Sequence, residues 1–311
     1  MKLSIVTTVY CSAPYIKEFY DRIVKSAKKI TNEFEIIFVN DGSPDHSLEI
    51  LIKLHENDPR VKIIDLSRNF GHHKAMMAGL SYISGQYVFM IDTDLEEPPE
   101  LLIGYWNKMQ EVGDTDVVYG HLIERKGSYF EKVSGSFFYR ILNLLSGENM
   151  PVDISFSRLM TRRYTDSLKQ FSEREMYIGG LWHIAGFNQV AIPMIKKSRG
   201  DSSYTFRKKI EMMVNAVTSF SNMPLRMIFY FGLFEITLAI VLMIFYAVRK
   251  LVYVQVLTGW TTLIVFMLFL SGSIVFSIGI VAIYLSKIFI EVKNRPYVIV
   301  KHKYISGEKN D

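Results

Sequence analysis

Short apolar segments alternate with amphipathic stretches through roughly the first 120 residues of the chain. Five segments rich in β-branched and other apolar residues have the length of strands, at residues 3–9, 34–39, 61–66, 87–91 and 116–119. The stretches between them, such as residues 15–29 and 44–56, have the length and periodicity of helices. This repetition predicts an α/β fold with a mainly parallel sheet. Ligands bind to such sheets beyond the carboxyl ends of the strands.

Two longer apolar stretches follow, at residues 227–248 and 263–285, and small, hydroxylated or single acidic residues are their main interruptions. Each is long enough to cross a bilayer, which takes about 20 residues. They predict a transmembrane hairpin at residues 226–290. Two buried helices of a soluble domain are the alternative, but such helices usually carry a polar stripe.

Basic residues set the predicted topology of this hairpin. The loop between the apolar stretches carries Arg249 and Lys250, and no signal-peptide pattern precedes the first strand. The outer flanks are more basic, with Arg207, Lys208, Lys209 and Arg226 before the hairpin and Lys287, Lys293, Arg295, Lys301 and Lys303 after it. The bias predicts a multi-pass protein of the cytoplasmic (inner) membrane with both termini in the cytoplasm.

Two amphipathic segments complete the predicted organisation. Apolar residues recur at helical spacing in residues 129–145 and again in residues 206–225, and both segments have basic neighbours. This pattern indicates helices that lie in the membrane interface, although packing in a core is the open alternative. We therefore expect a cytoplasmic domain at residues 1–205, an interfacial helix at 206–225, the hairpin, and a cytoplasmic tail at 291–311.

Charge and cysteine content limit the binding partners and the cellular compartment that the sequence allows. The 36 basic and 31 acidic residues give a net charge of +5, a mild excess that suits anionic small molecules or a lipid surface and does not require nucleic acid. Cys11 is the only cysteine. An internal disulfide and a multi-cysteine metal site are therefore excluded, and a reducing compartment is favoured.

A cluster of acids follows the fourth predicted strand, in the sequence VFMIDTDLEEPPE at residues 88–100. Asp92 and Asp94 flank one residue in an extended segment, so their side chains fall on the same side. Carboxylates at this spacing suit Mg²⁺ or Mn²⁺, which hold substrate phosphates. Glu96 is a weaker candidate ligand. The chain has no G-x-G-x-x-G and no P-loop motif to cradle phosphates by other means.

Three further strand ends are expected at the same edge of the sheet. They carry the sequences TTVY at residues 7–10, NDGS at 40–43 and LSRNFG at 66–71. Asp41 could accept hydrogen bonds from a nucleobase or ribose, whereas for Ser43 a structural role, in a turn followed by a helix cap, is as well supported as a role in binding. His72 and His73 are adjacent and diverge on a helix, so a shared metal site is not expected.

These motifs, in this order along nearly the whole chain, resemble family 2 glycosyltransferases that load sugars onto polyisoprenyl phosphates, the group of dolichol-phosphate mannose synthase and bacterial undecaprenyl-phosphate glucosyltransferases. The resemblance rests on DTDLEEPPE at residues 92–100, which is similar to the family signature D-x-D-L-Q-x-P-P-E with Glu96 where Gln is usual, on NDGS, RNFGHHKAMMAG, FFYRILNLLS, SRLMTRR and GDSSYTFRK, and on the apolar hairpin. It implies a GT-A-type nucleotide-sugar domain. It also implies inverting, metal-dependent transfer from a UDP- or GDP-linked sugar to polyprenyl phosphate, and it permits a homo-oligomer.

The resemblance assigns roles to individual positions. Catalysis is implied for Asp92, Asp94 and Arg125, and metal binding for Asp92, Asp94 and Glu96. Nucleotide-sugar binding is implied for Thr8, Tyr10, Asp41, Arg68 and Asp92. Acceptor-phosphate binding is implied for Arg125, Lys132 and Ser136, with Lys197, Arg199 and Arg207 as further candidates. The chain departs from the family pattern at Cys11, Ser12, Ala13, Leu122, Phe156 and Ser203.

Two other functions fit parts of the sequence. A processive polysaccharide synthase shares the acidic motif, but the Gln-x-x-Arg-Trp acceptor motif is missing and two spans are few for a conduit. A non-catalytic membrane protein that binds nucleotide sugars is the second alternative. Polymer formation would favour the first alternative, and nucleotide binding without turnover would favour the second.

Overall fold

The computed structural model of the chain describes residues 2–122, 154–171, 173–174, 178–194, 218, 221–252 and 259–305. Two compact units are distinguished by their internal contacts. Among the described residues, the first unit contains those up to residue 194 and those from residue 295 onward, and the second contains residues from 218 to 294.

The first unit begins with a regular alternation of strands and helices. In chain order its elements are β1 (Leu3–Val9), α1 (Ala13–Lys28), β2 (Phe34–Asn40), α2 (Ser47–Asn57), β3 (Val61–Leu66), α3 (His72–Leu80), β4 (Tyr87–Met90), α4 (Leu101–Glu111) and β5 (Val117–Leu122). All five predicted strands and both predicted helices are confirmed, with shifts of a few residues at their ends.

The later elements of the first unit were not expected from the sequence. They are β6 (Ile154–Thr161), α5 (Arg162–Leu168), α6 (Ile178–Ile184), β7 (Gln189–Met194) and β8 (Val300–Tyr304). The strands form one eight-stranded sheet in the order β7-β5-β6-β4-β1-β2-β3-β8. Pairs β1-β2, β1-β4, β2-β3 and β5-β7 are parallel, whereas β6 and β8 run antiparallel to their neighbours. The sheet is therefore mixed and mainly parallel, as predicted.

The centre of the sheet is also the centre of the core. Every residue of β1 and of β2 is buried, because helices cover both faces of a mainly parallel sheet. On one face Phe19 of α1 packs edge-on against Phe38 of β2, with ring centroids 6.0 Å apart. This rigid centre holds the carboxyl ends of β1, β2 and β4 at fixed positions.

Strand β8 corrects the expectation of a cytoplasmic tail at residues 291–311. Its residues pair with β3 from Ile63 to Leu66, and the amide of Ser67 donates to the carbonyl of Ile299 at 2.9 Å. The strand covers the edge of β3, whose backbone groups need partners. Because it is itself an edge strand, its basic side chains at Lys301 and Lys303 stay exposed and resemble those of a tail.

The second unit contains two long helices, α7 (Met223–Val252) and α8 (Trp260–Val292). Both are long and apolar enough to cross a membrane by length and composition, over Met223–Leu242 and Phe266–Val292. None of the residues in these two windows is buried, unlike the residues of core helices in a soluble domain. Ser273 of α8 donates to Glu235 of α7 at 3.1 Å, so this acid is hydrogen-bonded between the two helices.

Candidate active site

The predicted site residues of β1 and β4 meet where these strands end. Asp92 follows β4, and Thr8 is the penultimate residue of β1. His72, the first residue of α3, lies between them: its Nδ1 is 2.9 Å from Thr8 Oγ1 and its Nε2 is 3.4 Å from Asp92 Oδ1. The side chains of Asp92 and His72 are 27% and 38% exposed, so a ligand can reach both.

Thr93 anchors the segment that carries the two aspartates. Its side chain is buried and hydrogen-bonds to Thr7 Oγ1 at 2.7 Å and to the carbonyl of Thr8 at 2.9 Å. The strand has ended here, and Thr93 and Asp94 lie in a turn in which Asp92 and Asp94 are both partly exposed. Leu95 follows with a positive φ of 62°, and the amide of Glu96 donates to Asp94 Oδ1 at 3.0 Å. The segment after β4 is thus anchored at its middle residue.

Glu97 is hydrogen-bonded to strand β6 and is not a candidate metal ligand. Its carboxylate is buried and accepts hydrogen bonds from Ser155 Oγ at 3.0 Å and from the amides of Phe156 and Ser157 at 3.2 and 2.8 Å. From the sequence alone, an acid at this position would be interpreted as a residue at the N-terminus of a helix. The structure instead uses it to tie the acidic segment to β6.

Asp41 fixes the loop between β3 and α3. It is buried, and its two carboxylate oxygens accept from the amides of Phe70 at 2.7 Å and Gly71 at 3.0 Å. Burial raises the pKa of Asp41, while these two N–H groups and the charge of Arg68 act in the opposite direction. Its predicted contact with the nucleotide stays a prediction, and its observed role is to position residues 70 and 71.

Gly42 allows this loop to approach closely. It has a positive φ of 61°, and a Cβ at this position would lie 2.6 Å from the backbone nitrogen of Asn69. Arg68 lies next to that nitrogen, with its guanidinium 4.3 Å from the centroid of the Phe70 ring. Tyr10, at the end of β1, is 50% exposed. The structure therefore leaves Tyr10 and Arg68 accessible on loops that the buried sheet positions.

Phe156 of β6 joins the site from the other side of β4. Its ring centroid is 4.3 Å from that of His72 and 5.4 Å from that of Trp182 in α6. The sequence singled out Phe156 only as a departure from a family pattern. Since β6 pairs antiparallel with β4, the structure places this apolar ring beside the residues that surround Asp92.

Several predicted site residues lie outside the described part of the chain. They are Arg125, Lys132, Ser136, Lys197, Arg199 and Arg207, together with the departure at Ser203 and the amphipathic segment at residues 129–145. Their roles stay predictions. Leu122 is the last residue of β5 and is half-buried. His72 is the main site residue that the sequence did not predict, since its pattern favoured a structural role, with a hydrogen bond at the helix start or to substrate as the alternative, and gave no sign of the contacts with Thr8 and Asp92.

The metal prediction can be compared with the arrangement of the acids. Within the described ranges, no group of three or more His, Cys, Asp or Glu side chains could hold a metal ion. Asp92, Asp94 and Glu96 therefore do not form a complete protein site. The arrangement fits a cation that takes one or two carboxylates and completes its coordination with substrate phosphates and water, as Mg²⁺ does.

Comparison with known proteins gives consistent relatives over the whole chain. Residues 4–168 match the family described as Glycosyl transferase family 2. The glycosyltransferase YkcC of Bacillus subtilis is 36% identical over 307 residues, which cover 98% of this chain and 94% of that protein. The SfII prophage-derived bactoprenol glucosyl transferase of Shigella flexneri is 31% identical over 307 residues, which cover 98% of this chain and 99% of that protein.

Solved structures are similar to part of this chain. A mannosyltransferase of Pyrobaculum calidifontis in complex with GDP-Man and Mn²⁺ has a TM-score of 0.49 and 14% identity, covering 70% of this chain and 63% of that one. A mannosyl-3-phosphoglycerate synthase of Rubrobacter xylanophilus has a TM-score of 0.48 and 17% identity, covering 75% of each chain.

Proposed function

The chain belongs to glycosyltransferase family 2, and on that basis we propose that it transfers a sugar from a UDP- or GDP-linked donor to a polyprenyl phosphate, undecaprenyl phosphate being the expected carrier. One observation carries this proposal. Asp92 and Asp94 lie just after the carboxyl end of β4. The chain that carries them aligns over 98% of its length, apolar helices included, with a bactoprenol glucosyl transferase.

The two aspartates, together with the donor diphosphate, would bind Mg²⁺ or Mn²⁺. When bound there, the cation would neutralise the negative charge that develops on the departing nucleoside diphosphate. The protein's own contribution is orientation. His72 contacts both Thr8 and Asp92, so the carboxylate of Asp92 is held in one position relative to the end of β1.

The donor nucleotide would lie across the loops that follow β1 and β3. Tyr10 offers an exposed ring for a nucleobase to stack on, and Arg68 offers a cation for the diphosphate. Asp41 holds the second loop in place through the amides of Phe70 and Gly71. In this arrangement Asp41 acts on the donor through the loop that it positions.

The acceptor requires little activation. A phosphate monoester has a second pKa near 6, so its oxygen is already anionic at neutral pH and needs no strong general base. The apolar ring of Phe156 beside the site is compatible with this chemistry. A phosphate oxygen of the lipid would form the bond to the anomeric carbon while the bond to the nucleoside diphosphate breaks, which inverts the configuration. Arg125, Lys132, Ser136, Lys197, Arg199 and Arg207 are proposed to hold the acceptor phosphate.

The sheet supports the proposed membrane topology. Strands β1 to β7 precede the two apolar helices, and β8 follows them, yet all eight strands form one sheet. A sheet folds in one compartment, so the chain crosses the membrane an even number of times between β7 and β8. Two spanning helices satisfy this condition. With the basic flanks on the cytoplasmic side, donor synthesis and sugar transfer share one compartment.

The decisive experiment is a donor screen with the full-length protein. Membranes that contain it are incubated with labelled nucleotide sugars, undecaprenyl phosphate and Mn²⁺, and the labelled lipid is measured. We expect one donor to give charged lipid, and Asp94→Asn to lower the rate by about 100-fold or more. Asparagine keeps the oxygen that accepts from the Glu96 amide, so the fold is retained.

Asp21→Asn is the matched control, because Asp21 is an exposed acid of α1 far along the chain from the strand ends that form the site. It should leave the rate unchanged. Absence of labelled lipid with every donor would overturn the proposal. Labelled polymer would instead support a processive synthase, and nucleotide binding without turnover, unchanged by Asp94→Asn, would support a non-catalytic protein.

A further inference from the structure

The first unit contains a cavity of about 370 Å³ that is separate from the residues around Asp92. Elements β5, β6, α6 and β7 supply its walls. Its lining includes Tyr119, Ile154, Arg158, Trp182, His183 and Gln189. Phe187 and Asn188, which also line it, are exposed, so the cavity meets the surface between α6 and β7. Small solutes can enter it from there.

Arg158 is the unusual residue of this cavity. It is only 1% exposed, and its guanidinium lies 3.0 Å from the centroid of the Trp182 ring. Within the described ranges, its Nε and Nη1 atoms and the Nε1 atom of Trp182 are buried and have no hydrogen-bond partner. The described residues that line the cavity include no acid. A buried cation therefore borders a cavity whose described walls supply no anionic partner.

The cation persists at neutral pH. Burial lowers the pKa of Arg158 to about 10, while the neighbouring Tyr164, Tyr119 and Tyr105 act in the opposite direction. Buried charges in proteins are normally paired, because the loss of hydration is otherwise uncompensated. Contact with the indole ring compensates in part, since a desolvated cation over an aromatic face is attracted by the negative potential of the ring. An anion in the adjacent cavity would supply the remaining compensation.

We infer that this cavity binds a small oxyanion, a carboxylate or a phosphate group, with Arg158 as the source of positive potential. The position is meaningful, because Phe156 contacts both Trp182 and His72 and so separates the cavity from the Asp92 site by one side chain. The anion could be free phosphate, the headgroup of a lipid phosphate, or the carboxylate of an acidic sugar. The inference concerns binding and does not depend on the proposed transfer reaction.

The test measures anion binding to the full-length protein in detergent at constant ionic strength. Three probes are titrated: orthophosphate, a short isoprenyl monophosphate and glucuronate, and binding is followed by calorimetry and by thermal unfolding. We expect saturable binding of at least one probe. Arg158→Met should weaken it by at least about tenfold, the effect of losing a charged partner. The variant should fold, because an apolar side chain of similar volume replaces a buried charge without an anionic partner.

Two further variants complete the design. Trp182→Phe keeps an aromatic ring over Arg158 and removes an N–H that is buried and not accessible from the cavity, so it should leave binding nearly unchanged. Lys108→Gln removes one exposed cation of α4 and should leave binding unchanged. Phosphate stabilises many proteins without binding to a site, so only the saturable part of a Tm increase counts.

The probes identify the source of the anion. Tighter binding of the isoprenyl monophosphate than of orthophosphate assigns the cavity to a lipid headgroup, equal binding of the two assigns it to free phosphate, and preference for glucuronate assigns it to an acidic sugar. The inference is overturned if no probe binds saturably to the wild-type protein. It is also overturned if Arg158→Met binds as the wild type does.

Discussion

At the scale of single residues, the candidate site is organised by side chains that bind other protein groups. Thr93 anchors the segment between the two aspartates, Asp41 anchors the loop before α3, and His72 connects β1 to Asp92. Such anchoring keeps reactive groups in position without further reorganisation when substrate binds. The residues proposed to contact substrate and those that hold them in place are therefore interleaved in sequence.

His72 provides the residue-scale prediction. His72→Gln removes the imidazole that contacts Thr8 and Asp92 together, so we expect kcat/KM for sugar transfer to fall about tenfold. Tm should change little, because the side chain is partly exposed. His73→Gln is the matched control, since the ring of His73 lies against Phe156 at a centroid distance of 6.5 Å. Equal losses in the two variants would contradict a positioning role specific to His72.

At the scale of elements, a second buried carboxylate stabilises the opposite end of the sheet. Glu35 of β2 accepts from Ser4 Oγ at 2.5 Å and from the amide of Ser84 at 2.6 Å, and it pairs with Lys62 at 2.7 Å. Burial alone raises the pKa of Glu35, but the hydrogen bonds from Lys62, Ser4 and Ser84 outweigh it and hold that pKa at about 2. This network joins β1, β2 and β3 to the loop before β4.

The shifted pKa gives a pH-dependent prediction for stability. The folded-state pKa lies below the ordinary value of 4.5, so the stabilisation is complete above about pH 4.5 and is lost as the pH falls towards about 2. Glu35→Gln should lower the free energy of unfolding by about 2 to 3 kcal/mol at neutral pH. Thermal unfolding at several pH values checks this.

The difference in Tm between wild type and Glu35→Gln should shrink between pH 4.5 and pH 2, where the wild-type carboxyl becomes protonated. Glu56→Gln, at an exposed position of α2, should show no such dependence. A difference that stays constant through this interval would mean that Glu35 contributes through packing and not through its charge.

The elements also show how far the sequence could predict this fold. Strands β1 to β5 were predictable because they combine apolar runs with turn residues at their ends. Strand β6 was not, because its sequence ISFSRLMT includes polar residues whose partners are distant in the chain, such as Ser155 and Ser157 with Glu97. Strand β8 was not predictable because its exposed basic side chains interrupt the apolar pattern of a strand.

The candidate site was predictable to the same extent as its strands. Asp92 and Asp94 follow directly from an apolar strand, so their position could be inferred from local pattern. His72 depends on the pairing of β1 with β4 and on the loop that Asp41 holds, which are contacts between distant parts of the sequence. The burial of Arg158 depends on its contacts with Trp182 and Tyr119, which lie in other elements of the fold and leave no sign in the local sequence.

At the scale of the whole molecule, the apolar helices are an insertion between two strands of one sheet. Membrane topology and sheet topology are therefore linked. Alkaline phosphatase, which is active only outside the cytoplasm, should be active when fused after residue 256 and inactive when fused after residue 305. Green fluorescent protein should give the reverse pattern. Phosphatase activity at both positions would contradict an even number of crossings.

The late position of β8 also has a consequence for biosynthesis. A ribosome completes this strand after both apolar helices have been made, so the nascent polypeptide emerges with β3 still uncovered. If both apolar helices span the membrane, as proposed, β8 returns to the compartment that holds β3, whereas a copy in which only one helix inserts would place β8 on the opposite side. Pairing of β8 with β3 would thus depend on correct insertion of both helices, and a copy with a single crossing would keep an unpaired strand edge that favours aggregation.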